Sequence, residues 1–206
     1  TWAKGYVRRP PGRHEVRGKP IVTTLSAESG APCIPFVGLA EGHVLAAVRR
    51  AGVAMQRVRP ALAVLERELG IEHALASRNL YTDGAEVLFD YGSASADGGA
   101  LIDQLVVVRN GQRVFVQVVV DYLKRIEYDS HDGYARLIHI PAYAGEVVCD
   151  PTRSFGRPIF SNGGARVDDV LGRFQAGESL DELTREFGVP SSDLEDALRV
   201  ASRRAA

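Results

Sequence analysis

The 206-residue sequence has little sulfur and no long apolar run. Its two cysteines, Cys33 and Cys149, belong to no CxxC pair and have no metal-binding neighbours in the sequence. So few cysteines exclude a disulfide-rich scaffold and favour the reducing cytoplasm, although a disulfide between these two remains an alternative. No apolar stretch approaches the roughly 20 residues that a membrane-spanning helix needs, and we recognise no secretory signal. The sequence therefore predicts a globular protein with no membrane partner.

Motifs of the common catalytic and metal sites are also missing. The five histidines form no HExxH pair, and the sequence contains neither a GxSxG motif nor a phosphate-binding P-loop. Paired acids such as Asp168 and Asp169 fall at a predicted helix start, where the helix dipole favours carboxylates. We therefore predict a protein that is not an enzyme, with no catalytic residues, no cofactor and no metal.

Neither sign of charge dominates, because 25 basic side chains face 26 acidic ones. Their distribution is uneven: residues 1–24 contain six basic side chains and one acidic one. A basic segment of this kind suits contact with phosphate, but it is also typical of a solvated chain terminus. The residues that we select for contact with a nucleic-acid backbone are Lys4, Arg8, Arg9 and Arg13.

Two helices are predicted in the first half of the chain. Apolar residues recur at three- and four-residue spacing from Phe36 until Gly52 ends the pattern. A second stripe follows and ends at Gly70, with Pro60 inside it as a predicted kink or restart. Such a stripe usually faces the core of its own domain, and the alternative is the seam of a two-stranded dimer. Its members are Met55, Val58, Leu62, Leu65 and Leu69.

The central part of the chain is rich in β-branched residues. Residues 114–123 fit a helix and a strand equally well by periodicity, and β-propensity favours the strand without deciding between them. Residues 125–128 and 135–140 flank Asp132 and Gly133, which together are a good signal for a hairpin turn. A weaker signal places another turn at Val16–Lys19.

The last sixty residues carry the clearest pattern, which is three short helices with a stop after each. Gly177 ends the first helix, and Ser179 and Glu182 have the spacing of a capping box that begins the second. Gly188 lies where a left-handed residue ends that second helix, and Pro190 follows before the third. This order is typical of a helix-turn-helix, and it favours a binding protein.

The same segment resembles a bacterial family, the domain of unknown function numbered four hundred and thirty-three. The residues that carry the resemblance include Gly156–Ile159, Gly164–Val167, Phe174–Ser179 and Leu183–Gly188. Residues 2–6, Trp-Ala-Lys-Gly-Tyr, resemble the end of the recognition helix of a truncated MerR-like helix-turn-helix. Together the two segments resemble antitoxins of the VapB type. Ala165 and Asp168 depart from the Thr and Pro of the family's Gly-Thr-Arg-Ile-Pro box.

This resemblance implies a partner and a function. VapB-type antitoxins neutralise PIN-domain ribonucleases, which hold metal with clustered carboxylates, and they bind their own promoter DNA. We therefore expect a cytoplasmic homodimer that contacts its toxin through a basic tail consisting of Arg199, Arg203 and Arg204. The alternatives are a dimeric DNA-binding regulator without a toxin, and a toxin-binding module without DNA contact. The second is favoured by carboxylates at the start of the last helix, which phosphate would repel.

The expected fold class is α+β, mainly α. A helical N-terminal half, with a remnant of a helix-turn-helix, leads to a linking region that contains a β-hairpin. A three-helix C-terminal domain follows it. The predicted domains are 1–145 and 146–206.

Overall fold

A computed structural model describes residues 2–9, 12, 14–25, 33–94, 105–109 and 112–205. The described part contains seven α-helices and eight short strands, so the predicted class, α+β and mainly α, is confirmed. The chain forms two compact units, one with Thr1–Lys124 and Tyr128–Ala135, the other with Arg125–Glu127 and Arg136–Ala206. The second unit thus contains the whole of the predicted 146–206 segment and adds residues of the linking hairpin.

Four helices form most of the first unit. They are α1 (Phe36–Arg50), α2 (Met55–Leu69), α3 (Arg78–Ala94) and α4 (Gln117–Leu123), with a 3-10 turn at Ala74–Ala76. The predicted ends are confirmed, since α1 stops just before Gly52 and α2 is capped by Gly70. Pro60 lies inside α2 and does not end it.

The apolar stripe of α2 contributes to the core of the first unit. Val58 and Leu65 are buried, and with Leu62 they line a small apolar cavity of about 20 Å³ together with side chains of α1, α3 and α4. Leu69 is half-buried, and Met55 is the first residue of the helix. Burial within one chain already accounts for Val58 and Leu65, and a dimer seam along this stripe stays a prediction.

Two antiparallel hairpins complete the first unit: β1 (Tyr6–Arg8) with β2 (Val16–Gly18), and β3 (Val106–Arg109) with β4 (Gln112–Phe115). The turn predicted at Val16–Lys19 is wrong, because Val16, Arg17 and Gly18 pair with β1 as a strand. The structure also resolves the ambiguity at 114–123. Strand β4 ends at Phe115 and α4 begins at Gln117, so each of the two periodicities applies to its own part of the segment.

A four-stranded sheet and three helices form most of the second unit. The strands lie in the order β5 (Ile126–Tyr128), β6 (Ala135–His139), β7 (Val147–Cys149) and β8 (Pro158–Phe160), and the Asp132–Gly133 hairpin is confirmed between β5 and β6. The helices are α5 (Val167–Gln175), α6 (Leu180–Phe187) and α7 (Ser191–Ala205), as the sequence predicts. Their common core contains Phe160, Val167, Leu183, Val189 and Leu194.

Candidate functional site

The β1–β2 hairpin is the first candidate surface. Tyr6 pairs with Gly18 and Arg8 with Val16, which holds the predicted basic segment in a defined hairpin. Residues 2–4 form a turn and Tyr6 begins β1, so the predicted helix tail across residues 2–6 is not present. The Arg59 guanidinium of α2 lies 5.5 Å from the centre of the Tyr6 ring, a distance that suits a cation–π contact.

Two cations of the hairpin, Arg9 and Arg17, are exposed and pair with one carboxylate. Glu15 accepts from Arg9 Nε at 2.6 Å and from Arg17 Nε at 2.5 Å, and these two hydrogen bonds hold the pKa of Glu15 below its usual value. Both guanidinium groups remain about four-fifths exposed. Such surface pairs contribute little stability and can exchange for phosphate oxygens.

The structure places the four predicted DNA-binding residues as follows. Lys4 lies exposed in the turn before β1, and Arg9 follows the strand directly. Arg8 is the last residue of β1, and Arg13 lies outside the described residues. The exposed side chains of Arg17 and Lys19 join the same hairpin, and sequence reasoning did not select them.

A polar cluster in the first unit escaped the sequence analysis. Glu41 is 5% exposed, and its carboxylate accepts from the Thr23 amide at 2.5 Å and from the Thr23 hydroxyl at 2.9 Å. His73 Nδ1 lies 3.0 Å from the same carboxylate. The three residues border an open cavity of about 670 Å³. They are 18 to 50 positions apart in the chain, so no local motif connects them.

The second unit presents its three helices around the turn at Gly188-Val189-Pro190. The capping box is confirmed: the Glu182 amide donates to Ser179 Oγ, and the Ser179 amide donates to the Glu182 carboxylate at 2.9 Å. Gly188 has φ +64° and ends α6, and Val189 is fully buried in the core. The left-handed Gly188 and the buried Val189 side chain therefore both hold the turn between α6 and α7 in place.

Carboxylates at the start of α7 have partners within the second unit. Asp196 accepts from the amides of Ala144 at 2.7 Å and Gly145 at 3.3 Å. The Asp193 carboxylate lies beside Gly145, so closely that a side chain at this position would meet it at 2.9 Å. Asp196 therefore holds the loop before β7 in place, which gives this carboxylate a structural role that is independent of any partner.

Comparison with known proteins places both segments in families. Residues 1–62 match a family described as a "putative DNA-binding HTH domain", and residues 147–201 match a protein family of unknown function, DUF433. The chain is 45% identical over 203 residues to the "putative antitoxin VapB45" of Mycobacterium tuberculosis (strain ATCC 25618 / H37Rv), covering 96% of this chain and 84% of the relative. The chain belongs to the VapB45 antitoxin family.

A solved structure resembles this VapB45-family chain over most of its length. It is the crystal structure of Rv2018 from Mycobacterium tuberculosis, with 42% sequence identity and a TM-score of 0.81. The match covers 87% of this chain and 85% of the other. The recognition of a VapB-type antitoxin with a DUF433 domain behind an N-terminal helix-turn-helix segment is thereby confirmed.

Of the predicted toxin-binding arginines of this VapB45-family member, Arg199 and Arg203 lie exposed on α7. Arg199 donates to Glu195 one turn away at 2.8 Å, and Arg204 is near the end of the same helix.

Across the described ranges, no helix is both long and apolar enough to cross a membrane. The same part of the chain contains no group of three or more metal-binding side chains.

Proposed function

We propose that this chain is the antitoxin of a type II toxin–antitoxin pair. It binds and neutralises a PIN-domain ribonuclease, and it binds the DNA of its own promoter. The single observation that supports this most is the 45% identity over 203 residues to the relative named as a VapB45 antitoxin. Both activities consist of binding, which needs neither catalysis nor a cofactor. We expect the protein to act as a regulator in the cytoplasm.

The β1–β2 hairpin is the DNA-binding surface of this proposal. It lies inside the segment that matches a helix-turn-helix family. Lys4 is exposed in the turn before β1, and Arg9 is exposed directly after this strand. Arg8 and Arg13 belong to the same basic segment. Lysine and arginine bind phosphates at any sequence and release counterions as they do so, which makes binding depend on salt. A homodimer would place two such hairpins on half-sites about 34 Å apart, one turn of DNA.

The toxin-binding surface of this proposal includes the end of α7. Arg199, Arg203 and Arg204 are residues of the last turns of α7. Guanidinium groups bind carboxylates in a bidentate manner. The clustered carboxylates that hold metal in a PIN-domain ribonuclease are a suitable target. Arg199 would exchange its exposed pair with Glu195 for a carboxylate of the toxin.

Co-expression with the protein encoded by the adjacent open reading frame tests the toxin half of the proposal. We expect the neighbour to stop growth when expressed alone, to be harmless together with this chain, and to co-purify with it. A neighbour that is not toxic and forms no complex contradicts the antitoxin function. Salt-dependent promoter binding in that case would leave a DNA-binding regulator without a toxin.

A salt titration of promoter binding tests the DNA half. Lys4→Ala with Arg9→Ala is expected to weaken binding. The negative slope of log affinity against log salt should become shallower by about 1.8, which is about 0.9 for each of the two lost phosphate contacts. Arg67→Ala is the matched control, because Arg67 is an exposed arginine of the same unit on α2. Unchanged affinity and slope in the double variant would remove the hairpin from the proposal.

A further inference from the structure

The loop between β7 and β8 presents a phenylalanine to solvent. Phe155 is 93% exposed, and it follows directly on Ser154 in a run of three residues with positive φ, at +48°, +55° and +73° for Ser154, Phe155 and Gly156. Bulky residues rarely adopt this left-handed conformation, because Cβ approaches the following carbonyl oxygen. A large apolar side chain is thus held out in water by a strained backbone, and strain of this kind is concentrated at functional sites.

Hydrogen bonds to one acceptor residue, Asp150, fix this loop. The carbonyl oxygen of Asp150 accepts from the amides of Arg153 and Gly156, both at 3.1 Å. The Asp150 carboxylate accepts from the Thr152 amide at 2.8 Å and the Thr152 hydroxyl at 2.6 Å. The loop is therefore preorganised, and Phe155 can bind a partner with little further loss of conformational entropy.

Two arginines lie two positions before and two positions after Phe155 in the chain. Arg153 and Arg157 are both exposed, and neither takes part in an ion pair among the described residues. The Arg153 guanidinium lies beside Gly164 of the Gly-Ala-Arg-Val box, 2.6 Å from the place where a Cβ atom at that position would be. The surface that consists of Arg153, Phe155 and Arg157, named here the Phe155 loop, combines an apolar tip with two positive charges.

The geometry points to the Phe155 loop as an anchor for the toxin, an inference that rests on the proposed function. Energetically dominant interface residues are enriched in aromatic and arginine side chains that enter a pocket. The fitting partner is a protein with an apolar pocket bordered by carboxylates. Nucleic acid fits less well, because residues 150–206 contain ten acidic side chains and eight basic ones.

Replacement of Phe155 separates a binding role from a structural one. Phe155→Gly removes the ring and suits the positive φ, so the unfolding temperature of the full chain is expected to stay the same or rise. The same variant, and Phe155→Ala, should bind the co-purified toxin at least about thirty-fold more weakly, the loss typical of a dominant anchor. Arg153→Ala with Arg157→Ala should weaken binding several-fold, and more at low salt than at high salt.

Phe174→Ala is the matched control, because Phe174 is a partly exposed phenylalanine of the same unit on a regular helix. It should leave toxin affinity unchanged. If wild-type protein forms no toxin complex, the proposed function fails and the inference fails with it. If wild-type binds and Phe155→Gly binds within about twofold, the inference alone is overturned. A variant that loses self-association or promoter binding while it retains the toxin also overturns it, since the loop would then serve a second copy or DNA.

Discussion

Among single residues, Glu41 has the least usual environment. Its carboxylate lies almost without solvent contact on α1, where a charge is unfavourable unless hydrogen bonds satisfy it. Thr23 supplies two donors and His73 a ring nitrogen at 3.0 Å. The cluster joins three parts of the chain, so Glu41 fixes the segment after β2 against α1 and the loop after α2.

Glu41→Gln tests this role. The amide group keeps the shape of the side chain, but it removes the charge and turns an NH₂ group toward a donor of Thr23. We expect the free energy of unfolding to fall by about 1–3 kcal/mol, as for other hydrogen bonds to buried charged groups. The fluorescence of Trp2, the one tryptophan in the sequence, follows denaturation of the first unit. Glu66 borders the same cavity at an exposed position, so Glu66→Gln is the control. It should change the free energy of unfolding by less than about 0.5 kcal/mol.

The two cysteines provide a second test at the residue scale. Both are free; Cys33 is exposed, and burial raises the pKa of the Cys149 thiol to about 11. Because the thiolate is the reactive form, Cys149 should resist thiol reagents at pH 8 while Cys33 reacts. Ellman's reagent should titrate one thiol in the native protein and two in denaturant. Native Cys33→Ser should give none, and rapid labelling of that variant would contradict the burial of Cys149.

Helix ends that a few neighbouring residues determine were predicted from the sequence. Features that depend on residues far apart in the chain were not. Gly70 ends α2 and the Ser179 box begins α6 because a few neighbouring residues determine each end. The β1–β2 turn was misplaced because strand pairing, which is not local, decides which residues of 14–19 are extended. The Glu41 cluster and the exposed Phe155 loop escaped for the same reason, since burial and backbone strain are properties of the folded chain.

Ser179→Ala tests the start of α6. Loss of the side-chain acceptor for the Glu182 amide should lower stability by about 1 kcal/mol. Hydrogen exchange of the amides of 180–187 should accelerate accordingly. Ser202→Ala, an exposed serine in the last turns of α7, is the control and should leave that exchange unchanged.

The same cap predicts a pH dependence. Hydrogen bonds from the Ser179 hydroxyl and amide hold the pKa of Glu182 below its usual value. The folded state therefore binds fewer protons than the unfolded state near this pKa, so the contribution is present above about pH 4.3 and is lost as the pH falls through the lowered pKa. Glu182→Gln should be less stable than wild-type at pH 7, and the difference should shrink at acid pH. An equal difference at both pH values would contradict the cap.

One substitution in the hairpin is expected to strengthen promoter binding instead of weakening it. Glu15→Gln removes the carboxylate that occupies Arg9 and Arg17, so both guanidinium groups become available to phosphate. Promoter affinity should rise by roughly three- to tenfold near 0.1 M salt, and the gain should fade as salt screens the charges. Glu68→Gln removes a carboxylate from a comparable exposed pair with Arg67 on α2 and should leave affinity unchanged. A weaker complex with Glu15→Gln would show that Glu15 serves the fold of the hairpin instead.

At the scale of the whole molecule, the surfaces of the two proposals lie on different compact units. The hairpin cations belong to the first unit, while the Phe155 loop and the arginines of α7 belong to the second. Each unit has its own buried side chains, among them Leu45 and Leu80 in the first and Phe160 and Leu183 in the second. Because each unit packs its own core, we expect the effects of exposed substitutions in the two units to add.

This division predicts that the two binding activities separate by mutation. Lys4→Ala with Arg9→Ala should lose promoter affinity and still protect cells from the toxin, whereas Phe155→Gly should lose toxin affinity and retain the promoter affinity of the free protein. Growth after co-expression and promoter binding by the purified chain measure the two activities independently. The combined variant should lose both, each by the amount seen in the single-surface variants. If the hairpin variant also fails to bind the toxin, the two surfaces are coupled. The assignment of DNA binding to the first unit and toxin binding to the second would then be wrong.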